Sequence, residues 1–163
     1  MNNTISSMLN TQIQKEFESA YIYLGFAAYF DSVGMKGFAH WYKVQAQEEL
    51  KHGKKIYNYL NDKNVEINLL EIPAPKEKIE TTIDALEMGL QHEQYITALI
   101  NNIYSEAEKQ HDFDTKNFLE WFISEQHEEE VNAESLLESY NVFGVSPEGM
   151  YFLDRELLQR KAA

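Results

Sequence analysis

The 163-residue chain predicts an all-α fold: four long helices in a bundle, with a short fifth helix at the C-terminal end. Three observations carry this. Apolar residues recur at helical spacing over four long stretches. Only 7 glycines and 3 prolines are available, too few for the many turns of an all-β chain. Glutamate supplies 21 of the 27 acidic residues, and glutamate favours helix more than aspartate does. The length suits one domain over 1–163, and 44% hydrophobic with 13% aromatic residues predicts a packed core rather than a disordered acidic chain.

The elements follow in order. A first helix is expected over about 4–30, from Ile5, Met8, Leu9, Ile13, Phe17, Ala20, Leu24 and Ala27 at helical intervals. "DSVGMKG" (31–37) breaks it with glycines. A second runs over about 36–62 on Phe38, Trp41, Tyr42, Gln45, Leu50, Ile56, Tyr57 and Leu60, and "NDK" ends it. Residues 63–79 then form an extended connection with two prolines, unusually long for a compact domain. A crossover between two helical hairpins accounts for that length, because short loops could not wire such a bundle. The third helix is expected over about 80–109, and the turn "QHDFD" (110–114) offers Asp114 as an N-cap. A fourth spans about 115–142 and closes at Gly144. Ser146 and Pro147 then read as the N-cap and first residue of a fifth, over about 147–159.

Charge narrows the function classes. Lys and Arg number 14 against 27 Asp and Glu, a net charge of −13, which disfavours nucleic acid and anionic lipid and favours cations. The absence of cysteine excludes disulfides, thiolate metal sites and cysteine nucleophiles. No run approaches the ~20 apolar residues of a membrane span, and the start lacks a signal-peptide core, so a cytoplasmic location is expected. "SEQHEEE" (124–130) sharpens the cation argument: Glu125, Glu128 and Glu129 repel at helical spacing with no lysine or arginine in the stretch.

The midpoints of the four helices fall near residues 17, 49, 95 and 128. Glu16 sits at the first, Glu49 and His52 at the second, Glu93 at the third, and Gln126 and Glu129 at the fourth. In a bundle with aligned ends these share one layer. The i, i+3 pairs Glu49/His52 and Gln126/Glu129 each lie on one helix face, among apolar neighbours such as Ile13, Ala20, Ile56, Gly89 and Ile96. Four carboxylates buried together would have to protonate unless cations compensated them. Two divalent cations would do so, and oxygen ligands with one imidazole suit Fe, Mn or Zn. Glu-x-x-His is a weak motif by itself, with about 0.6 chance matches expected here. A second match, Glu108/His111, lies roughly 22 Å along the third helix from Glu93 and reads as surface, with His111 near a helix C-terminus. Glu48, Glu125 and Glu128 are rotated by about 100° from the proposed ligands, which by spacing alone favours a solvated face. Tyr23, two turns from Glu16, reads equally as a hydrogen-bond donor into the site or a core tyrosine. Trp41 and Trp121 read as core, and His127 and Glu130 as surface.

Taken together, "LNTQIQKEFESAYIYL", "AQEELKHG", "QHEQ", "NFLEWFISEQHEEE" and "GMYFLDREL" resemble a bacterial or archaeal non-haem ferritin over essentially the whole chain. The resemblance implies a ferritin-like four-helix bundle, a hollow homo-oligomeric shell of 24 subunits, and iron stored inside as a ferric oxyhydroxide mineral. It implies that Glu16, Glu49 and His52 hold one iron and that Glu49, Glu93 and Glu129 hold a second, with Glu49 bridging and Gln126 beside them. It assigns Glu48, Glu125 and Glu128, with Glu129, to a third iron site, against the solvated reading, and Tyr23 to a place beside the ferroxidase centre. Fe(II) and O2, or H2O2, would be the substrates.

Departures from related families narrow the choice. A haem-bound bacterioferritin would need a second Glu-x-x-His on the fourth helix and a methionine after the bridging glutamate; Gln126/Glu129 and Leu50 stand there, so no haem is expected. Animal ferritins line three-fold pores with acids early in the fourth helix, where this chain has Lys116 and Leu119. Rubrerythrins need cysteines. Two rivals stand beside iron storage: an oxygen-activating di-iron enzyme with an organic substrate, which needs a cavity beside the metals, and a purely structural bundle with solvated acids.

Overall fold

A computed structural model describes residues 1–76 and 78–162. Its helices are α1 Asn3–Ser32, α2 Lys36–Asp62, α3 Thr82–Lys109, α4 Phe113–Phe143 and α5 Pro147–Leu157. α1 packs on α2 and α3 on α4 as two hairpins, α1 also packs on α3, and α5 lies against α2 and α4. Ser19 beside His92 and Tyr29 beside Glu80 show that α1 and α3 run antiparallel. The architecture is the all-α bundle that the apolar spacing predicts.

Local chemistry sets the helix ends. Asn2 Oδ1 accepts from Thr4 N at 2.7 Å, Thr81 and Asp84 form a reciprocal capping box, and Ser146 Oγ accepts from Gly149 N at 3.1 Å ahead of Pro147. The α1–α2 turn depends on Gly34, whose φ of 79° a side chain would strain. The third turn is tighter than expected. His111 takes a φ of 54°, so the chain reverses within 110–112, and Asp112 rather than Asp114 caps α4 through Thr115 N at 3.1 Å. α4 therefore starts at Phe113, and Asp114 pairs with Lys63 at 2.7 Å. α3 starts at Thr82 and α5 stops at Leu157, each within two residues of the expected end.

The crossover after α2 follows α1 along its length. Asn10 Nδ2 donates to Glu66 O at 3.1 Å and Asn10 Oδ1 accepts from Asn68 N at 2.7 Å; farther on Pro75 nears Gly25, and Tyr29 donates to Glu80 O. Among the described residues of 63–81 no helix or strand forms. The core has two apolar blocks. Ile5, Leu9, Ile13, Ile56, Leu60, Ile96, Ile100 and Phe122 fill one end, and Ala20, Phe26, Phe30, Phe38, Tyr42, Leu86, Leu136 and Leu153 the other. Leu24, Leu50 and Tyr57, expected inside, are 50%, 40% and 40% exposed. Each directly follows an inward residue (Tyr23, Glu49, Ile56), and a step of about 100° carries it off the core face. No helix among the described residues is long and apolar enough to cross a membrane.

Candidate metal centre

Between the two apolar blocks lies the polar layer. Glu16, Glu49, His52, Glu93, Gln126 and Glu129 are each no more than 4% exposed. Ligand atoms of Glu16, Glu49 and His52 lie within 4.8 Å of one another, as do those of Glu49, Glu93 and Glu129. The two groups share Glu49. A third group of the same compactness joins His52, Glu125 and Glu129. Of the remaining expected residues, Glu48 is bound instead to Arg160, Oε2 to Nη2 at 3.0 Å, and Glu128 is exposed and belongs to no such group. Tyr23 is buried in the core and donates to Glu93 Oε1 at 2.5 Å, so both of its sequence readings hold at once.

Hydrogen bonds brace most of these oxygens. Gln12 Nε2 donates to Glu16 Oε1 at 2.8 Å, and Gln45 Nε2 donates to Glu49 Oε1 at 3.0 Å and to Glu129 Oε2 at 2.5 Å. Gln126 Nε2 faces Glu93 Oε2 at 3.1 Å, the Glu93 carbonyl at 3.2 Å and Thr97 Oγ1 at 3.3 Å. Gln12 and Gln45 stand one turn before Glu16 and Glu49, an i, i+4 relation that was available in the sequence. Among the described residues Glu16 Oε2 is buried without a hydrogen-bond partner, and His52 Nδ1 stands 3.7 Å away, beyond hydrogen-bond reach.

Burial and mutual repulsion set the protonation pattern. Burial pushes Glu49 well above the ordinary carboxyl range, and the Glu93 charge adds to this. Glu93 is also raised by burial, despite donation from Tyr23 and Gln126. Glu129 is pushed up to about 8, by burial first and the Glu93 charge second. Burial opposes charge on His52 too, yet Glu125, Glu16 and Glu49 around it raise its pKa well above the usual imidazole value. That imidazolium in turn keeps Glu16 below the normal range against the effect of burial. Without metal, protons supply the compensating positive charge. Such a set of hard oxygen donors plus one imidazole, with an orphaned carboxylate oxygen, fits a pair of divalent cations of the iron, manganese or zinc type.

The aromatic neighbours differ from expectation at one point. Trp121 is 40% exposed rather than core; its ring meets His52 edge-on at 5.4 Å, and the Lys55 ammonium lies 4.0 Å from its centroid. Space beside the carboxylates is scarce. The cavity lined by Tyr23, Gln45, Glu93 and Glu129 measures about 20 Å³. A much larger cavity, about 610 Å³ between α1, α3 and the crossover, shares no residue with the three ligand groups.

Comparison with known proteins agrees with this geometry. The model of the ferritin-like domain matches residues 6–141. A bacterial non-heme ferritin of Staphylococcus saprophyticus is 38% identical over 160 residues, covering 98% of this chain and 96% of its own. A probable bacterial non-heme ferritin-like protein of Haemophilus influenzae is 32% identical over 157 residues, 96% of this chain and 95% of its own. Among solved structures, the open-pore ferritin of Archaeoglobus fulgidus superposes with a TM-score of 0.96 at 36% identity, over 99% of this chain and 98% of its own. Its engineered closed form gives 0.97 at 36%, over 100% and 99%. By sequence, fold and the buried carboxylate layer alike, the chain belongs to the ferritin family, in its bacterial-type non-haem branch.

Proposed function

We propose that the chain, as one ferritin-like domain over 1–163, is the subunit of a 24-chain iron-storage shell that oxidises Fe(II) before storing it as ferric oxyhydroxide. The observation that carries this is the pair of three-ligand groups sharing Glu49 in a buried layer. In this reading Glu16, Glu49 and His52 bind one Fe(II), and Glu49, Glu93 and Glu129 bind the other, with Glu49 bridging. Gln126 hydrogen-bonds beside the second ion. Tyr23 orients Glu93 by donating to it. Glu125 and Glu129, together with Glu128 of the same helix and Glu48 of α2, form a third, outer iron site.

Iron here is substrate and cargo. Paired Fe(II) ions supply electrons to O2, or to H2O2, and hydrolysis of the Fe(III) product releases protons. The protein's part is to bring the two ions together, to keep bulk water and larger molecules out, and to accept ions where carboxyl protons were. Two ligand sets of different composition, with the imidazole in only one, suit ions that pass through. The small cavity supports iron itself as the substrate, since about 20 Å³ holds little more than one water and no organic molecule. A net charge of −13 would raise the local Fe(II) concentration by electrostatic focusing in the cytoplasm.

Stopped-flow oxidation tests the assignment. Glu49→Ala removes a ligand from both groups and should abolish the fast Fe(II) oxidation phase while the helical signal and particle size stay unchanged. A normal fast phase in that variant would refute it.

A further inference from the structure

The turn after α5 reaches back to the metal layer. The Arg160 carbonyl is bonded to His40 Nε2 at 2.7 Å, and its guanidinium stacks 4.1 Å from the centroid of Trp41. Nη1 donates to the Trp41 carbonyl at 3.0 Å. Nη2 donates to Gln45 Oε1 at 2.8 Å and to Glu48 Oε2 at 3.0 Å. The side chain is only 11% exposed, so these bonds are largely shielded from water. Gln45 passes the constraint on, because its Nε2 donates to Glu49 Oε1 and Glu129 Oε2.

The chemistry of the amide gives this relay a direction. Glutamine has one accepting end and one donating end, while guanidinium has only donors. With Arg160 on Oε1, the amide has its Nε2 turned to the carboxylates. Without Arg160 the amide would keep that orientation through the carboxylates alone, with its Oε1 end unanchored, and Glu48 would lose a charged hydrogen-bond partner.

We propose that Arg160 is a positioning residue of the metal centre: through Gln45 it fixes the oxygens of Glu49 and Glu129, and so tunes the Glu49/Glu93/Glu129 subsite. The inference rests on the reading of this layer as a two-metal centre. The Glu16/Glu49/His52 subsite depends on it much less, since Gln45 touches only one of its three ligands. Sequence spacing could not suggest this contact, which joins residues 115 positions apart.

Calorimetric titration of the metal-free, assembled protein with Zn2+ tests it. The parent chain should show two tight events per subunit, both lost in Glu49→Ala. Arg160→Ala and Gln45→Leu should each weaken one event about tenfold, the usual effect of losing a partner behind a ligand, and the other much less. The Arg160→Ala/Gln45→Leu double variant should bind no more weakly than Gln45→Leu alone, because both act along one path. Equal weakening of both events, no weakening of either event in Arg160→Ala, or losses that add in the double variant would overturn the proposal. If the parent chain lacks the two Glu49-dependent events, the two-metal reading itself fails and this inference falls with it.

Discussion

Glu129 shows how one side chain links burial to metal binding. Its folded pKa of about 8 lies above its ordinary value of 4.5, so between those pH values the folded protein holds a proton that the unfolded chain has released. Stability contributed by that proton is complete below about pH 4.5 and is lost as pH rises toward 8. Metal binding works in the opposite direction, because a cation must displace the proton, and the proton on His52 as well. Zn2+ binding at pH 7 should therefore release protons, and apparent affinity should rise with pH through about 8, where the Glu129 contribution levels off. Calorimetry in buffers of different ionisation enthalpy measures the release. Glu129→Gln should reduce it; no change would remove Glu129 from the site. The proposed third iron site also divides at this scale. Glu125 lies near His52 and Glu129, and His52 lowers its pKa, whereas Glu128 is exposed. Glu125→Ala should therefore change iron stoichiometry or turnover more than Glu128→Ala. The reverse ranking in an iron-loading assay would move the outer site onto Glu128.

At the scale of elements, contact between helices depends on missing side chains as much as on present ones. A Cβ on Gly37 would lie 1.5 Å from the Asp154 carbonyl oxygen, so α2 and α5 touch there backbone to backbone. Phe38 N donating to Asp154 Oδ1 at 3.0 Å fixes the register of that contact. Gly37→Ala must push α5 away and should cost about 1–3 kcal/mol, the usual penalty of overpacking. Chemical denaturation checks the loss. Because Arg160 follows α5, the same variant should also loosen Gln45. Much of the element level was legible in advance. The helices, the long crossover and the Ser146/Pro147 start of α5 all follow from local spacing and capping chemistry. The α4 boundary did not, because either of two aspartates could cap it, and the positive φ at His111 selected Asp112. Trp121 and Leu50 were misplaced because a residue next to a core position can lie on either edge of a wide apolar stripe.

For the whole molecule, the surface suggests how copies meet. Tyr21 and Leu24 on α1 are 51% and 50% exposed, and Leu69, Leu70 and Ile72, on the crossover running along α1, are 68%, 47% and 37% exposed. Exposed apolar groups on neighbouring segments favour contact with another chain. Replacing Leu69 and Leu70 with glutamate should convert the proposed 24-chain particle to small oligomers, with the subunit's helical content retained, following the usual penalty for charge at an interface core. Light scattering would show it. A full-sized particle in that variant would exclude this face from the assembly contacts.

The sequence by itself determined the helices, the acid-rich layer at their midpoints and the preference for cations, because periodicity and composition act locally and 3.6-residue geometry turns spacing into facing. It also contained the i, i+4 glutamines that brace Glu16 and Glu49. Only the tertiary structure decided that Glu49 is shared by two ligand groups, that Tyr23 serves Glu93, that Glu48 is held by Arg160, and that the space beside the carboxylates is small. Those outcomes depend on distances between helices, set by how the whole core packs, and no spacing along one chain encodes them.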